Sequence, residues 1–185
     1  MRYSHLRLSL CAVLMAVILC AIPNVVFADS AQKISRDAQR VLQKLYETSG
    51  SAKALGEKAR GVLVFPAITK GGFMVGGQYG EGAFFQSGKV TGFYSTVQVS
   101  YGLQAGVQKY GYAMFLMTDA AVKYLDKSDG WELGTGPSIV VVDTGAATGI
   151  STTTAQADVY AFYFNQQGLM AGLGFQGTKI TKINK

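Results

Sequence analysis

The sequence predicts an α+β domain: a curved, mainly antiparallel β-sheet, barrel- or sandwich-like, with amphipathic helices at its N-terminus and one short helix later. Three observations predict it. A helical stripe of Ile34, Ala38, Val41, Leu42, Leu45 and Tyr46 comes first. Beyond Gly61 the pattern turns to two-residue alternation and short continuous apolar runs, the marks of strands. The 23 glycines of the 185 residues all follow position 28. That is about twice average usage, and they are irregularly spaced among Tyr, Phe, Val and Met. Such a composition suits a bent, bulged sheet better than collagen or a flexible linker.

The first 28 residues read as a secretory signal peptide. Met1 to Arg7 is basic, Leu8 to Ile22 is apolar apart from Ser9, and Val26-Phe27-Ala28 precedes Asp29. An apolar run of that length spans roughly 22 Å, short of a hydrocarbon core of about 30 Å. Cys11 and Cys20 follow Leu10 and Leu19, where a lipoprotein signal has a small residue, which disfavours a lipid anchor. The expected product is one domain, residues 29–185, exported and periplasmic or associated with the cell envelope. It has 15 Lys and Arg against 11 Asp and Glu, a net charge of +4, and neither His nor Cys. That excludes zinc on Cys and His, disulfides, Cys or Ser–His nucleophiles and imidazole acid–base chemistry. The reading is of a non-enzymatic protein without metal or cofactor.

Asp29 or Ser30 caps the first helix, which ends near Ser49-Gly50, and Ser51 to Arg60 forms a second, shorter one. Val62-Leu63-Val64-Phe65-Pro66 opens the strands. From Phe93 the odd positions Phe93, Val97, Val99, Tyr101, Leu103, Ala105 and Val107 are apolar, while Thr96, Gln98, Ser100, Gln104 and Gln108 are polar. The expectation is that the odd face is buried. Continuous runs at 112–117, 139–142 and 159–164 predict central strands. Thr118-Asp119 caps a short helix through Leu125, and 126–130 is a turn. Gly168 to Gly172 echoes Gly102 to Gly106, which suggests two strands in similar roles.

Several motifs fail on their own chemistry. Asp143-Thr144-Gly145 resembles the turn of an aspartic protease, but that mechanism needs two carboxylates sharing a proton and only one copy is present. The protease is therefore a minor alternative to a plain turn. Gly172-Leu173-Gly174-Phe175-Gln176-Gly177 fits a dinucleotide pattern without room for the helix and the acidic residue that should follow. Gly82 to Lys89 is one residue too long for a phosphate loop, and Val90 stands where Ser or Thr would hold magnesium.

The first helix carries the strongest functional signal. Relative to Ile34, Lys33, Arg40 and Lys44 fall roughly 80 to 120° to one side, and Arg36 adds to that flank. Such a helix either lies in a lipid interface, apolar side inward, or docks on its own sheet with a solvated basic side. Lys53, Lys58, Arg60 and Lys70 add charge near Gly71-Gly72, where a glycine turn beside lysines would suit a phosphate. Nucleic acid is disfavoured as a partner by the modest charge and the absence of basic runs interleaved with aromatics.

Gly61 to Pro66, Lys70-Gly71-Gly72-Phe73 and Gly76-Gly77 begin an ordered set of segments. It continues through Gly102 to Gly106, Met114 to Thr118, Trp131 to Gly134, Asp158 to Phe162 and Gly168 to Gly177. Together they resemble the SYLF family of lipid-binding domains. The resemblance implies a non-catalytic domain whose eukaryotic relatives bind phosphoinositides through a basic amphipathic N-terminal helix, some acting in actin organisation. Its matching positions here are Lys33, Arg36, Arg40 and Lys44. A signal peptide and the absence of an SH3 partner domain set this chain apart. The expected partner is therefore an anionic phospholipid or membrane surface of a bacterial envelope. The alternative is an envelope structural or protein-interaction module.

Overall fold

A computed structural model describes residues 29–127, 130–133, 135–142, 156–167 and 177–185. Residues 1–28, read above as a signal peptide, Asp143-Thr144-Gly145 and the glycine segment 168–176 lie outside them.

Two helices come first. Helix α1 (Ala31–Thr48) is capped by Ser30, whose Oγ accepts from the Lys33 N–H at 3.3 Å, and it buries Ile34, Ala38, Leu42 and Leu45. Ser49 ends it by donating its N–H to the Leu45 carbonyl at 2.8 Å and at once caps α2 (Gly50–Lys58) by accepting from Ala52 at 3.2 Å. One serine serving both ends explains the abrupt change of direction without a loop.

The rest is built on one long hairpin, β1 (Gly61–Gln86) and β2 (Lys89–Leu116). Ser87 and Gly88 join the strands with φ of 49° and 76°, the left-handed pair that matches the strand twist in a two-residue hairpin. Straight, such strands would run roughly 85–90 Å at about 3.3 Å per residue, several times the roughly 15 Å radius of gyration of a domain this size. The ribbon therefore curls. Tyr112 donates from its hydroxyl to Thr96 Oγ1 at 3.0 Å although the two are 16 residues apart in the same strand, and Tyr110 likewise reaches Gln78 Oε1.

Bulges assist the curl. Pro66 and Ala67 stand together opposite Gly111, and further register shifts fall between Phe73 and Val75 and between Phe84 and Phe85. At Gly111 a Cβ would meet the Phe65 carbonyl at 2.8 Å, so the bulge requires glycine there. The bulge also reverses the parity of β1. Before it Leu63 and Phe65 face inward; after it the inward residues are Ile68, Lys70, Gln78 and Phe84.

After β2 come α3 (Asp119–Leu125), capped by Thr118 as expected, then β3 (Trp131–Glu132), β4 (Ile139–Val142), β5 (Val159–Gln167) and β6 (Thr178–Ile183). The sheet order is β3-β6-β2-β5-β4, with β1 on the other edge of β2, and every pairing is antiparallel except β4 with β5. The eleven-residue step from Lys109 to Gln98 matches that from Gln167 to Thr178, so the end of β5 and β6 share a register along β2, while a shift between Lys109 and Gly111 sets the rest of β5 one residue off. The α+β class and the helix placement are as expected.

Two apolar clusters occupy the two faces. Inside the curl, Phe65, Tyr112, Met114, Leu116, Leu125, Trp131 and Ile180 pack together with α3 as a cover. Outside, α1 and α2 lie over Val62, Val64, Phe85, Ala113, Phe115 and Phe162. Burial on both faces accounts for the continuous apolar runs of β2 and β5. The run 139–142 is different: β4 ends the described sheet, and Val140 and Val141 are exposed, so it is not a central strand.

One expectation reverses. Among the described side chains of β2 the polar even positions lie inside and the odd valines outside: Val97, Val99 and Val107 are 44%, 56% and 62% exposed. Thr96 and Gln108 are buried. Alternation shows that two faces differ, but inside the tight curl Tyr112 bonds Thr96 and Tyr110 bonds Gln78, so polarity there does not mean solvent.

Asp158 ties the layers. Its carboxylate accepts from the Ser138 N–H at 3.0 Å and hydroxyl at 2.9 Å and from the Thr118 hydroxyl at 3.2 Å. These bonds, the Ser138 N–H foremost, hold its pKa below the usual carboxylate range.

Two predictions follow from these contacts, both read by the fluorescence of Trp131, the one tryptophan of the sequence. In urea, Tyr112→Phe strands the buried Thr96 oxygen and Gly111→Ala crowds a backbone carbonyl, each costing about 1–3 kcal/mol; wild-type midpoints would refute the closing role. Because the folded-state pKa of Asp158 is lowered, its contribution is present above its unfolded value near pH 4 and is lost as pH falls through the folded value. Asp158→Asn therefore weakens the protein at neutral pH and flattens the acid limb of its stability curve, whereas an unchanged limb would contradict the assignment.

Candidate functional site

The cations singled out in the sequence separate into groups with different surroundings. Arg36, Arg40 and Lys44 stand four residues apart in one exposed row along α1, with Lys33 beside them. Asp37 sits within that group. Lys33 approaches Asp29 at 2.8 Å and Asp37 at 3.7 Å, Arg36 lies 3.8 Å from Asp37, and Arg40 is paired with the same carboxylate. The hydrogen bond that Lys33 donates to Asp29 raises the Lys33 pKa, with Asp37 adding to it. Much of the positive flank at the start of α1 is thus neutralised on the spot.

Further along the helical layer the balance changes. Lys44, Lys53 and Lys58 are exposed, and among the described residues none of them has an ion pair. Arg60, at the joint of helix and sheet, pairs loosely with Asp119 at 3.4 Å and donates its backbone N–H to Leu116. A cleft of about 530 Å³ opens there between α1, α2 and the hairpin turn, lined by Gln39, Gln43, Tyr46, Glu57, Arg60 and Ser87. Burial pushes the Tyr46 hydroxyl up to about 12, with Glu57 adding to the shift, so it stays a protonated donor at the cleft wall.

A second groove, about 360 Å³, runs under the start of α1 between Lys33, Asp37 and Arg40 on one side and Thr69, Tyr79 and Glu81 on the other. Its carboxylates match its cations, and Glu81 is itself held by Lys185 at 2.9 Å. By charge it is no anion site.

Lys70 departs furthest from the expectation. Gly71-Gly72 is not a turn but continues β1, paired with Val107 and Gly106, so its backbone belongs to the sheet and not to a phosphate loop. The Pro66–Ala67 bulge turns Lys70 to the inner face, opposite Gln108, while α1 lies on the outer face. The structure therefore gathers Lys33, Arg36, Arg40 and Lys44, places Lys53, Lys58 and Arg60 on the same helical layer and its joint, and sets Lys70 apart.

It also answers a question the periodicity leaves open. The apolar side of α1 is spent on the sheet, so the helix is docked and offers a partner only its polar side. Among the described residues no group of three or more His, Cys, Asp or Glu side chains could hold a metal ion, and no helix is long and apolar enough to cross a membrane.

Two features were missed in the sequence. One is the inner polar belt, Lys70, Gln78, Thr96, Gln108 and Thr178 beside Tyr110, Tyr112 and Tyr163. Its signal was the even polar register of β2, read as solvent-facing. The other is the outer strip of Val97, Val99 and Val107 with Tyr79, paired in register with Val97.

Residues 97–185, from the middle of β2 onward, match the family model Ysc84, described as Las17-binding protein actin regulator. No curated protein matches the chain. The matched span takes in Gly102 to Gly106, Met114 to Thr118, Trp131 to Gly134 and Asp158 to Phe162, the later segments of the resemblance noted above. The family description is of a binding protein, and the match over residues 97–185 is consistent with a member of the Ysc84, or SYLF, family.

Proposed function

We propose that the protein is a non-enzymatic binding domain for an anionic phospholipid or membrane surface, exported by residues 1–28 to a bacterial envelope, with residues 29–185 as a single working unit. The observation that carries this reading is the exposed cationic layer of the two helices. Lys44, Lys53 and Lys58 are unpaired among the described residues, with Arg36, Arg40 and the more engaged Lys33 alongside and Arg60 at the cleft. Lys70, named with them from the sequence, faces inward and is left out of this surface.

Docking of α1 changes the expected mode. With its apolar side committed to the sheet, the helix does not sink into lipid; it lays a rigid set of charges against headgroups. Each cation near an anionic surface is worth about 1 kcal/mol, so contact depends on several engaging together and weakens with salt.

A protein-interaction module remains the second reading, favoured by the exposed Tyr79, Val97, Val99 and Val107, since exposed apolar patches of this kind mark interaction sites. The family description also names a protein partner.

Co-sedimentation with phosphatidylglycerol-containing and pure phosphatidylcholine vesicles separates these readings. We expect binding to the anionic vesicles alone, reduced about tenfold or more by Lys44→Glu, Lys53→Glu and Lys58→Glu together, with thermal unfolding unchanged. Equal binding by the triple variant removes the helical layer as the contact. Failure to bind either vesicle favours the protein-interaction module.

A further inference from the structure

The cleft between α1, α2 and the hairpin turn holds charges of both signs. At about 530 Å³ it is of the size that small-molecule sites have. The hairpin turn contributes Ser87, the joint of helix and sheet Arg60, α2 Glu57, and α1 Gln39, Gln43 and Tyr46. Leu42, Val62 and Phe85, all buried, complete the lining with an apolar surface. The cleft opens beside the helical cations, since Gln39 and Gln43 directly precede Arg40 and Lys44, and Glu57 directly precedes Lys58.

Its two charges are not spent on each other. Glu57 makes no ion pair among the described residues, although Lys53 and Arg60 lie within four residues of it. Arg60 meets Asp119 at 3.4 Å through Nε, between two exposed side chains, which leaves the outer N–H groups of its fork open. Tyr46 stands close enough to Glu57 to feel its charge, and its hydroxyl stays protonated and able to donate. Glycine at position 56 makes room for that hydroxyl, with which a Cβ there would collide. Gly56, Glu57 and Ala59 also bring the C-terminal end of α2 to the cleft, where the last helical carbonyls carry partial negative charge.

These groups together specify a ligand with a negative and a positive end. Arg60 and the hydroxyls of Ser87 and Tyr46 donate and so suit anionic oxygens. Glu57 and the carbonyl end of α2 accept and so favour a cation that has N–H bonds to give. A primary ammonium supplies such donors and a quaternary one supplies none. We propose that the cleft between α1, α2 and the hairpin turn binds a phosphate ester carrying a primary amine, of the phosphoethanolamine kind. The phosphate lies toward Arg60 and Ser87 and the ammonium toward Glu57. The same group occurs free and as a phospholipid headgroup. Phosphate rather than carboxylate as the anion rests on the reading of the adjoining helical layer as a surface for headgroups.

Isothermal titration of protein produced from the full chain tests this with glycerophosphoethanolamine, glycerophosphocholine, glycerophosphoglycerol and monomeric dihexanoyl phosphatidylethanolamine. Saturable binding of an ethanolamine compound is expected, about tenfold or more tighter than of the choline or glycerol diester. Glu57→Gln should erase that preference, and Arg60→Gln should weaken binding of the ethanolamine compound about tenfold or more. Both side chains are exposed, so neither change threatens the fold. Binding of the short-chain lipid alone identifies the headgroup as the source, and equal binding of the lipid and glycerophosphoethanolamine a free ester; either supports the site. No saturable heat from either ethanolamine compound at millimolar concentration overturns the proposal, as does equal binding of all three diesters or binding that both variants leave unchanged. Glu57→Gln should still sediment with phosphatidylglycerol-containing vesicles, and the triple variant of Lys44, Lys53 and Lys58 should still bind the ethanolamine compound. Failure at the cleft is thereby told apart from failure of the helical layer.

Discussion

A tyrosine hydroxyl that reaches back along its own strand sets the architecture. The Tyr112 bond to Thr96 brings together two points of β2 that would stand roughly 53 Å apart in an extended chain, and Tyr110 bonded to Gln78 repeats the closure between the two arms of the hairpin. Everything else follows from the sense of that curl. It makes one face of the ribbon concave and enclosed, and the other convex and wide enough to seat two helices. It decides that the tyrosines and glutamines are interior and the middle valines exterior. The ring contacts of Tyr163 with Tyr110 at 5.6 Å and with Tyr112 at 5.8 Å brace the closure from β5. Burial pushes the Tyr110 hydroxyl up to about 12, and Tyr112 and Tyr163 upward as well, so all three remain neutral donors across the physiological range.

The curl also sorts the charges. Cations on the helices stand on the convex side over a rigid support, because Ile34, Ala38, Leu42 and Leu45 are fully engaged below them. Asp29 and Asp37 quench the start of α1, which shifts the effective positive surface toward Lys44 and α2. Lys70 belongs to the concave side through a single bulge.

Local features were legible in the sequence. Ser30 and Thr118 cap the helices expected of them, the apolar stripe of α1 is the buried one, and the double-sided burial of Tyr112 to Leu116 and Val159 to Tyr163 matches their unbroken runs. The facing of β2 was not legible. Thr96 and Gln108 look solvent-bound until the inward turn of the strand is in view, since Tyr112, which bonds Thr96, is 16 residues away and Gln108 lies opposite Lys70 on another strand. Lys70 was misplaced for a related reason. Pro66-Ala67 gives no sign that it will oppose Gly111 and turn every later side chain of β1 to the other face, since one extra residue is enough to do so. The exposed cations of the helices were found, but their internal neutralisation by Asp37 depends on side-chain geometry that helical spacing only outlines.

The central claim is that β2 curls with its even positions inward. Residues 29–185 contain no cysteine, so single substitutions can report each position by the rate of thiol labelling under native conditions. The account predicts fast labelling of Val97→Cys, Val99→Cys and Val107→Cys and strong protection of Thr96→Cys and Gln108→Cys. The reverse pattern, valine positions protected and polar positions reactive, would contradict it.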